Sequence, residues 1–222
     1  MRPGLVIFDC DGVLVDTEPT SNAVMAEILQ REGMEIDVAG SMARFLGKSM
    51  KSVQEEVEAE IGRSLGPDWT AMVRDATIEA FREHGVAAIS GVKAAISRID
   101  TAGIPLCVAS SGSIAKMHSS LGSAGLLDRL QDVLFTSDSV ERGKPAPDLV
   151  LHAAAQMGCS PSNCVVIEDS RTGVRAAIAA GMRTLAYIGA SNGPIQEMTA
   201  LGAEVFDNMT RLPALIGLEE AA

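Results

Sequence analysis

Short apolar segments alternate with helical segments from residue 91 onward in this 222-residue sequence. The apolar segments have the length of strands, and Gly or Pro residues mark many of the connections to the helical segments. The predicted strands, together with one near the amino terminus, cover residues 4–9, 105–109, 132–136, 164–168, 183–188 and 203–206. The predicted helices cover residues 91–102, 113–124, 147–158, 171–181 and 210–217. Buried strands that alternate with helices predict an α/β fold with a Rossmann-like, doubly wound parallel sheet.

The stretch from residue 17 to residue 86 differs because it contains no convincing buried strand. Val53, Val57 and Ile61 show the spacing of one apolar helix face. Glycines separate its amphipathic segments, which cover residues 19–33, 38–45, 49–61 and 67–84. We therefore predict an α/β core formed by residues 1–16 and 87–222, with an all-helical cap domain of residues 17–86 inserted after the first strand.

The first apolar segment ends in Asp9, and Asp11 and Gly12 follow after one intervening residue. Residues two apart on an extended chain point to the same side, so Asp9 and Asp11 can converge beyond the strand. Open α/β sheets bind their ligands at this end of the strands. Two carboxylates that close repel each other unless a cation or a shared proton intervenes. A solvated Asp-Gly turn is the alternative interpretation of this segment taken alone.

Further polar groups follow two other strands or occupy a loop between them. They are Ser110-Ser111-Gly112, Lys144 before Pro145, and Glu168-Asp169. The backbone N–H groups of Ser111 and Gly112 precede a predicted helix and form a natural anion site. Taken separately, the serines and the acidic pair could also be helix caps, and the lysine could be ordinary solvated surface.

In this chain order, the motifs around Asp9, Ser110, Lys144 and Glu168-Asp169 resemble those of the haloacid dehalogenase superfamily of phosphotransferases. The resemblance covers roughly residues 4–190, and it is close to β-phosphoglucomutase and to sugar-phosphate phosphatases. In this superfamily, a helical insertion between the first two motifs is a mobile cap. Closure of a cap would exclude bulk water from an otherwise open site.

The resemblance implies catalytic roles for four residues. Asp9 would be the nucleophile that forms an aspartyl phosphate, and Asp11 would be the general acid–base. Ser110 would donate to a phosphoryl oxygen, and Lys144 would pair with both the phosphate and the nucleophile. An acid at position 11 favours phosphate over haloacid substrates, because a halide leaves without being protonated.

The same resemblance implies Mg²⁺ as the cofactor, which would neutralise the concentrated negative charge. The expected ligands are the Asp9 carboxylate, the Asp11 backbone carbonyl and the Asp169 carboxylate. Glu168 either ligates the metal directly or orients its waters. In the cap, Gly47 and Lys48 are the candidate substrate-binding residues, with Arg44 and Lys51 as further cationic candidates. The alternative for these cap residues is an ordinary solvated helix surface.

Composition excludes several classes of partner. The formal net charge of −11 disfavours nucleic acid and anionic membranes, both of which need a basic surface. No apolar run approaches the ~18 residues of a membrane span, and Asp9 interrupts any signal-peptide core. The four cysteines lack zinc-site spacing, so we expect free thiols. These features predict a cytoplasmic protein with a small-molecule partner, as a monomer or, alternatively, a dimer.

The predicted function is a Mg²⁺-dependent phosphatase acting on a small phosphorylated metabolite, a sugar or sugar-acid phosphate. A phosphomutase of the β-phosphoglucomutase kind is the nearest alternative. Such an enzyme carries a lysine and an asparagine after the motif serine, and Ser113 and Ile114 replace them here. A phospho-acceptor signalling domain is the alternative from another class, and it would retain its phosphate rather than turn over. A catalytically silent binding protein is a third alternative.

Overall fold

The computed structural model describes residues 2–45, 48–189 and 195–218. Contacts within the chain divide it into two compact units, with boundaries after Asp16 and after Val86. Residues 17–86 form the helical unit, and the described residues on either side of them form the core unit.

The secondary-structure elements follow in chain order. The strands are β1 (Leu5–Phe8), β2 (Val15–Asp16), β3 (Ala87–Ala88), β4 (Leu106–Ser110), β5 (Leu134–Thr136), β6 (Cys164–Glu168), β7 (Arg183–Tyr187) and β8 (Glu204–Phe206). The α-helices are α1 (Glu18–Arg31), α2 (Val38–Phe45), α3 (Met50–Ile61), α4 (Trp69–His84), α5 (Val92–Thr101), α6 (Ile114–Ser123), α7 (Leu127–Leu130), α8 (Asp148–Gln156), α9 (Arg171–Ala179), α10 (Ile195–Ala200) and α11 (Leu212–Leu215).

The core unit is built on a six-stranded parallel sheet with the order β5-β4-β1-β6-β7-β8. Val6 of β1 lies opposite Leu106 of β4 on one side and Val165 of β6 on the other. The chain therefore runs outward from β1 in both directions, and such a reversal is where open α/β sheets bind ligands. Parallel pairing also brings the carboxyl ends of β1, β4 and β6 to one edge. The prediction of an α/β, doubly wound parallel sheet is confirmed.

All residues of β1, β4 and β6 are buried, and their sequences are apolar except for the last residues of β4 and β6, which are Ser110 and Glu168. Leu5 and Ile7 of β1 belong to one buried cluster with Leu149 and Ala153 of α8. Burying a Leu or Ile side chain contributes about 1.5–3 kcal/mol, so this cluster anchors β1 firmly. All four cysteines are free thiols.

The helical unit has a small hydrophobic core of its own. Its fully or almost fully buried apolar residues are Met25, Ile28, Leu29, Met34, Phe45, Val53, Val57, Trp69 and Val73. Ser49 caps α3 by accepting a hydrogen bond from the Ser52 N–H, and Gly62 ends the same helix in the left-handed conformation at φ 71°. Three of the four helices fall within the predicted amphipathic segments, although α4 begins at Trp69 rather than at residue 67. The fourth, α1, begins at Glu18, one residue before the predicted segment.

Sequence patterns did not predict the two-stranded antiparallel sheet of β2 and β3. Val15 pairs with Ala88, and Asp16 pairs with Ala87, where the chain leaves the core unit and returns to it. A strand of two residues is too short to show alternation, so no periodic signal exists to find. Among the described residues, no helix has both the length and the hydropathy needed to cross a membrane.

Candidate active site

Asp9 directly follows β1, and its position is fixed by both backbone and side-chain contacts. Its N–H donates to the Ile167 carbonyl of β6 at 2.9 Å, which extends the sheet ladder by one residue. Its carboxylate is buried, and Oδ1 accepts a hydrogen bond from Lys144 Nζ at 2.7 Å. Asp9 is therefore held rigidly at the carboxyl edge of the sheet.

Lys144 joins the ends of three strands through its ammonium group. Nζ donates to Asp9 Oδ1 at 2.7 Å, to Glu168 Oε1 at 2.6 Å and to the Ala109 carbonyl at 2.9 Å. An ammonium group has three protons, so these three acceptors use all of them. The side chain is only 4% exposed, and burial opposes its charge. The adjacent Asp9 and Glu168 carboxylates outweigh that effect and raise the pKa of Lys144, so the lysine is a buried cation.

Glu168 is engaged at both of its carboxylate oxygens. Oε1 accepts from Lys144, and Oε2 accepts from the Ser170 N–H at 2.8 Å and the Ser170 hydroxyl at 2.9 Å. Ser170 in turn accepts from the Gly173 N–H and caps α9. Within this segment, Ser170 is therefore the helix cap, and Glu168 has a different role, which is to position Lys144.

Gly173 leaves the room that the Glu168 carboxylate occupies. A Cβ atom at position 173 would lie 1.6 Å from Glu168 Oε1 and 1.8 Å from Cδ. Non-bonded atoms cannot approach so closely, so any other residue at position 173 must displace the Glu168 carboxylate or the helix. Sequence reasoning missed this residue, although a glycine three positions after the helix cap is unusual enough to indicate a close approach.

Asp9 and its neighbour Cys10 are both buried, but their side chains differ in how readily they ionise. Burial raises the pKa of the Asp9 carboxyl to about 7, with Lys144 acting to lower it and Glu168 acting to raise it. Burial, together with the nearby Asp11 and Asp9 carboxylates, also raises the pKa of the Cys10 thiol well above its usual value. Cys10 therefore stays protonated, and Asp9 is the candidate nucleophile of this segment.

Gly12 and Asp169 explain why the turn after β1 is more than a solvated Asp-Gly turn. Gly12 has a φ of 74°, which favours glycine, and a Cβ there would lie 2.0 Å from Asp169 Oδ2. The turn backbone is thus packed directly against the Asp169 carboxylate. This close approach places the backbone that follows β1 beside Asp169, which directly follows β6.

The cluster of Asp9, Glu168 and Asp169 has the composition of a metal site. One carboxylate oxygen from each residue lies within 4.8 Å of those from the other two. Lys116 contacts Asp11, and Lys144 contacts Asp9 and Glu168. Carboxylate oxygens grouped this closely are the kind of ligand that Mg²⁺ prefers.

Ser110 is the last residue of β4, at the same edge of the sheet, and its hydroxyl is hydrogen-bonded within the loop that leads to α6. Its buried hydroxyl accepts from the Gly112 N–H at 3.0 Å, and the Gly112 carbonyl accepts from the Thr136 hydroxyl at 2.7 Å. The cap of α6 is Ser113, whose side chain accepts from the Lys116 N–H. The helix-cap alternative therefore applies to Ser113, and Ser110 lies among the acidic and basic groups.

Lys116 is a residue of this edge that sequence reasoning missed. Its Nζ lies 2.7 Å from Asp11 Oδ2, and the two side chains are 24% and 31% exposed. Burial opposes the charge, but Asp11 outweighs it, so the pKa of Lys116 is raised. The sequence feature that could have identified Lys116 is a single cation in the first turn of α6, a helix that begins at the ligand-binding edge of the sheet.

The cationic candidates of the helical unit are paired with glutamates inside that unit. Lys48 Nζ lies 2.6 Å from Glu56 Oε2, and Arg44 Nε lies 2.7 Å from Glu56 Oε1. Lys51 is exposed, with its Nζ 3.9 Å from Glu55. Gly47 lies outside the described residues. Substrate binding by Gly47 and Lys48 stays a prediction.

Comparison with known proteins identifies the class to which this fold and site belong. The family described as haloacid dehalogenase-like hydrolase matches residues 3–181. The chain is also 31% identical over 211 residues to 6-phosphogluconate phosphatase of Escherichia coli, covering 95% of this chain and 93% of that protein. The chain belongs to the haloacid dehalogenase-like hydrolase family, as the motif resemblance predicted, and it is an enzyme.

Two solved structures extend this similarity to the fold. One is a haloacid dehalogenase family hydrolase of Deinococcus radiodurans with bound phosphate and sodium, at 31% identity and a TM-score of 0.81, covering 100% of this chain and 99% of that one. The other is a putative β-phosphoglucomutase of Thermotoga maritima, at 25% identity and a TM-score of 0.78, covering 97% and 99%. Both share nearly the whole length of the chain.

Proposed function

We propose that this protein is a Mg²⁺-dependent phosphatase that hydrolyses a small phosphorylated sugar or sugar acid through an aspartyl phosphate. The observation that carries the proposal is the buried Asp9 carboxylate, held by Lys144 at 2.7 Å and grouped with Glu168 and Asp169. A buried, immobilised carboxylate beside a cation site is suited to attack on phosphorus. A surface carboxylate would lack this orientation.

In the first half of the reaction, an Asp9 carboxylate oxygen forms a bond to phosphorus and the bond from phosphorus to the substrate oxygen breaks. The Asp11 carboxyl group gives its proton to that leaving oxygen, so an alcohol departs and Asp11 becomes a carboxylate. In the second half, a water molecule attacks phosphorus and Asp11 takes one of its protons. Inorganic phosphate leaves, and Asp9 returns to its free carboxylate.

The phosphoryl oxygens need donors that are already in place. The Ser110 hydroxyl and the Ser111 N–H would supply them at the loop before α6, where the helix dipole also favours an anion. The Gly112 N–H donates to Ser110 Oγ in this structure, so it orients that hydroxyl and would have to exchange partners to bind the phosphoryl group itself. Lys144 adds a buried positive charge next to Asp9. Preorganised groups of this kind act most strongly where charge develops in the transition state.

Asp9, Asp169 and the Asp11 backbone carbonyl would hold Mg²⁺, which when bound neutralises charge between the nucleophile and the phosphate. Glu168 would not bind the metal directly, since its two carboxylate oxygens already accept hydrogen bonds from Lys144 and Ser170. Its part is then to hold Lys144 and the start of α9 in position. This assignment selects one of the two roles that the sequence left open for Glu168.

The substrate class rests on the relatives. The similar Escherichia coli protein acts on 6-phosphogluconate, a phosphorylated sugar acid, as its name states. A second relative of that organism, 31% identical over 195 residues, is a hexitol phosphatase. We propose that the helical unit, residues 17–86, supplies the residues that select among such substrates, with Lys48 among them.

A phosphomutase is the second candidate because a putative β-phosphoglucomutase shares the fold. Against it, Ser113 is committed to capping α6, and Ile114 cannot donate to a second phosphate. A phospho-acceptor signalling domain is disfavoured because the chain belongs to a hydrolase family.

The test is phosphate release from a panel of phosphorylated sugars, sugar acids and sugar alcohols, with Mg²⁺ and with chelator. Conversion of β-glucose 1-phosphate to glucose 6-phosphate is measured in parallel. We expect Mg²⁺-dependent phosphate release from at least one sugar or sugar-acid phosphate and no isomerisation. Isomerisation faster than hydrolysis would identify a mutase, and no phosphate release from any substrate would refute the phosphatase.

A further inference from the structure

Asp11 is held by a lysine that lies outside the four sequence motifs. Lys116 belongs to the first turn of α6, 105 residues further along the chain, and its Nζ lies 2.7 Å from Asp11 Oδ2. Unlike Lys144, which is bound to Asp9 and Glu168, this lysine reaches Asp11 from a different strand-to-helix connection. The two acids after β1 therefore each have their own lysine.

The place of Lys116 on its helix is electrostatically unfavourable without Asp11. The amino-terminal turn of a helix carries partial positive charge, so a cation there is destabilising. The first turn of α6 contains no acidic residue to offset it. The Asp11 carboxylate offsets this unfavourable interaction. The position of Lys116 therefore indicates a role that depends on its contact with Asp11.

Neighbouring residues fix the path of the Lys116 side chain. Its N–H donates to Ser113 Oγ, which anchors the backbone at the helix cap. A Cβ at Gly112 would lie 3.4 Å from Lys116 Cδ, 3.4 Å from Ser110 Oγ and 3.9 Å from Asp11 Oδ2. The lysine stem therefore runs past position 112 close to Ser110 and Asp11, and a Cβ there would be in ordinary van der Waals contact with these groups.

We propose that Lys116 is a positioning residue for acid–base catalysis: it holds Oδ2 of Asp11 so that the proton is transferred through Oδ1. An ammonium group donates but cannot accept, so the contact with Lys116 fixes Oδ2 and, with it, the orientation of the Asp11 carboxyl group. The inference rests on the proposed phosphatase function and adds a residue to it.

The experiment compares two leaving groups at the level of kcat/KM, which reports the steps up to the departure of the first product. The alkyl phosphate identified by the substrate panel needs a proton on its leaving oxygen, whereas p-nitrophenolate leaves p-nitrophenyl phosphate without one. Lys116→Met removes the charge and keeps the stem. We expect kcat/KM to fall about 10- to 100-fold for the alkyl phosphate, as misplacement of a catalytic group does, and to change little for p-nitrophenyl phosphate.

Three further variants separate positioning from a structural effect. Lys116→Arg keeps the charge and should restore most of the activity on the alkyl phosphate. Lys93→Met, on an exposed position of α5, is the matched control and should leave both substrates unchanged. In an Asp11→Asn background, Lys116→Met should cause little additional loss, because the lysine acts through Asp11.

Each outcome decides the proposal. Equal losses on both substrates, no loss on either, or full additivity with Asp11→Asn would overturn the role of Lys116 while leaving the phosphatase intact. Wild-type protein without Mg²⁺-dependent phosphate release would overturn the function and this inference together. Should Lys116→Met fail to fold, Lys116→Gln must show the same difference between leaving groups, and its absence would overturn the proposal.

Discussion

The Lys144 ammonium lies 2.7 Å from the Asp9 carboxylate although 135 residues separate the two in the chain. The same ammonium contacts Glu168 and the carbonyl of Ala109, so it links the ends of β1, β4 and β6. These strands are neighbours in the sheet, and one buried cation therefore sets the relative positions of the groups around the proposed phosphoryl site. Five predictions test this arrangement and the function proposed for it.

Asp9→Asn should abolish turnover and leave the fold intact, because the amide keeps the shape of the side chain but is a poor nucleophile. Phosphate release measures the first effect, and circular dichroism with thermal melting measures the second. Asp132→Asn, at an exposed position, is the control and should retain full activity. Substantial residual activity of Asp9→Asn would show that the nucleophile is another residue.

Lys144→Ala should lower kcat on every substrate, because the charge acts on the transferring phosphoryl group. It should also lower the free energy of unfolding by about 3–5 kcal/mol, since Asp9 and Glu168 would stay buried without their cation. Steady-state kinetics and chemical denaturation measure the two effects. Wild-type kcat in this variant would contradict the proposed role.

Lys48→Ala should instead raise KM or change the ranking of substrates, with little effect on kcat for p-nitrophenyl phosphate. The physical reason is that Lys48 belongs to the helical unit, where it pairs with Glu56, and not to the core unit that holds Asp9. Kinetics on the substrate panel measure this. Unchanged kinetics on all substrates would show that Lys48 is an ordinary solvated surface residue of its helical unit.

Gly173→Ala should lower both stability and activity, because its Cβ would lie 1.6 Å from Glu168 Oε1. Alanine normally stabilises a helix relative to glycine by about 0.5–1 kcal/mol, so the sign of the change is diagnostic. Gly122→Ala in α6 is the matched control, since the nearest atom to its Cβ lies 3.7 Å away. Thermal melting and phosphate release should separate the two variants. Equal stability changes would show that Glu168 relaxes freely.

Removal of Mg²⁺ by EDTA should abolish activity without unfolding the protein, because the sheet and its core are formed by apolar contacts. Ca²⁺ should inhibit, since its larger and more flexible coordination would misplace the nucleophile and the phosphate. Activity and melting temperature are measured in parallel, with added Mg²⁺ restoring the activity. Full activity in chelator would refute the metal, and a collapsed melting temperature would indicate a structural metal instead.

The fold class, and the residues that could meet at one edge of the sheet, follow from the amino-acid sequence alone. Strand length, continuous apolar composition and alternation with helices are local properties, so they can be read without the fold, and the parallel sheet follows from them. Asp9, Ser110 and Glu168 lie at or directly after ends of such strands. Parallel pairing alone is then enough to bring these three to a common edge.

The contacts between these groups could not be predicted from the sequence, because they depend on how distant elements pack. The Lys116–Asp11 pair spans 105 residues, and the room that Gly173 leaves for Glu168 depends on how α9 packs against the end of β6. Local propensity carries no information about such contacts, because they arise when separate elements pack in one register. The engagement of both Glu168 oxygens has the same origin, since Lys144 comes from a loop 24 residues away.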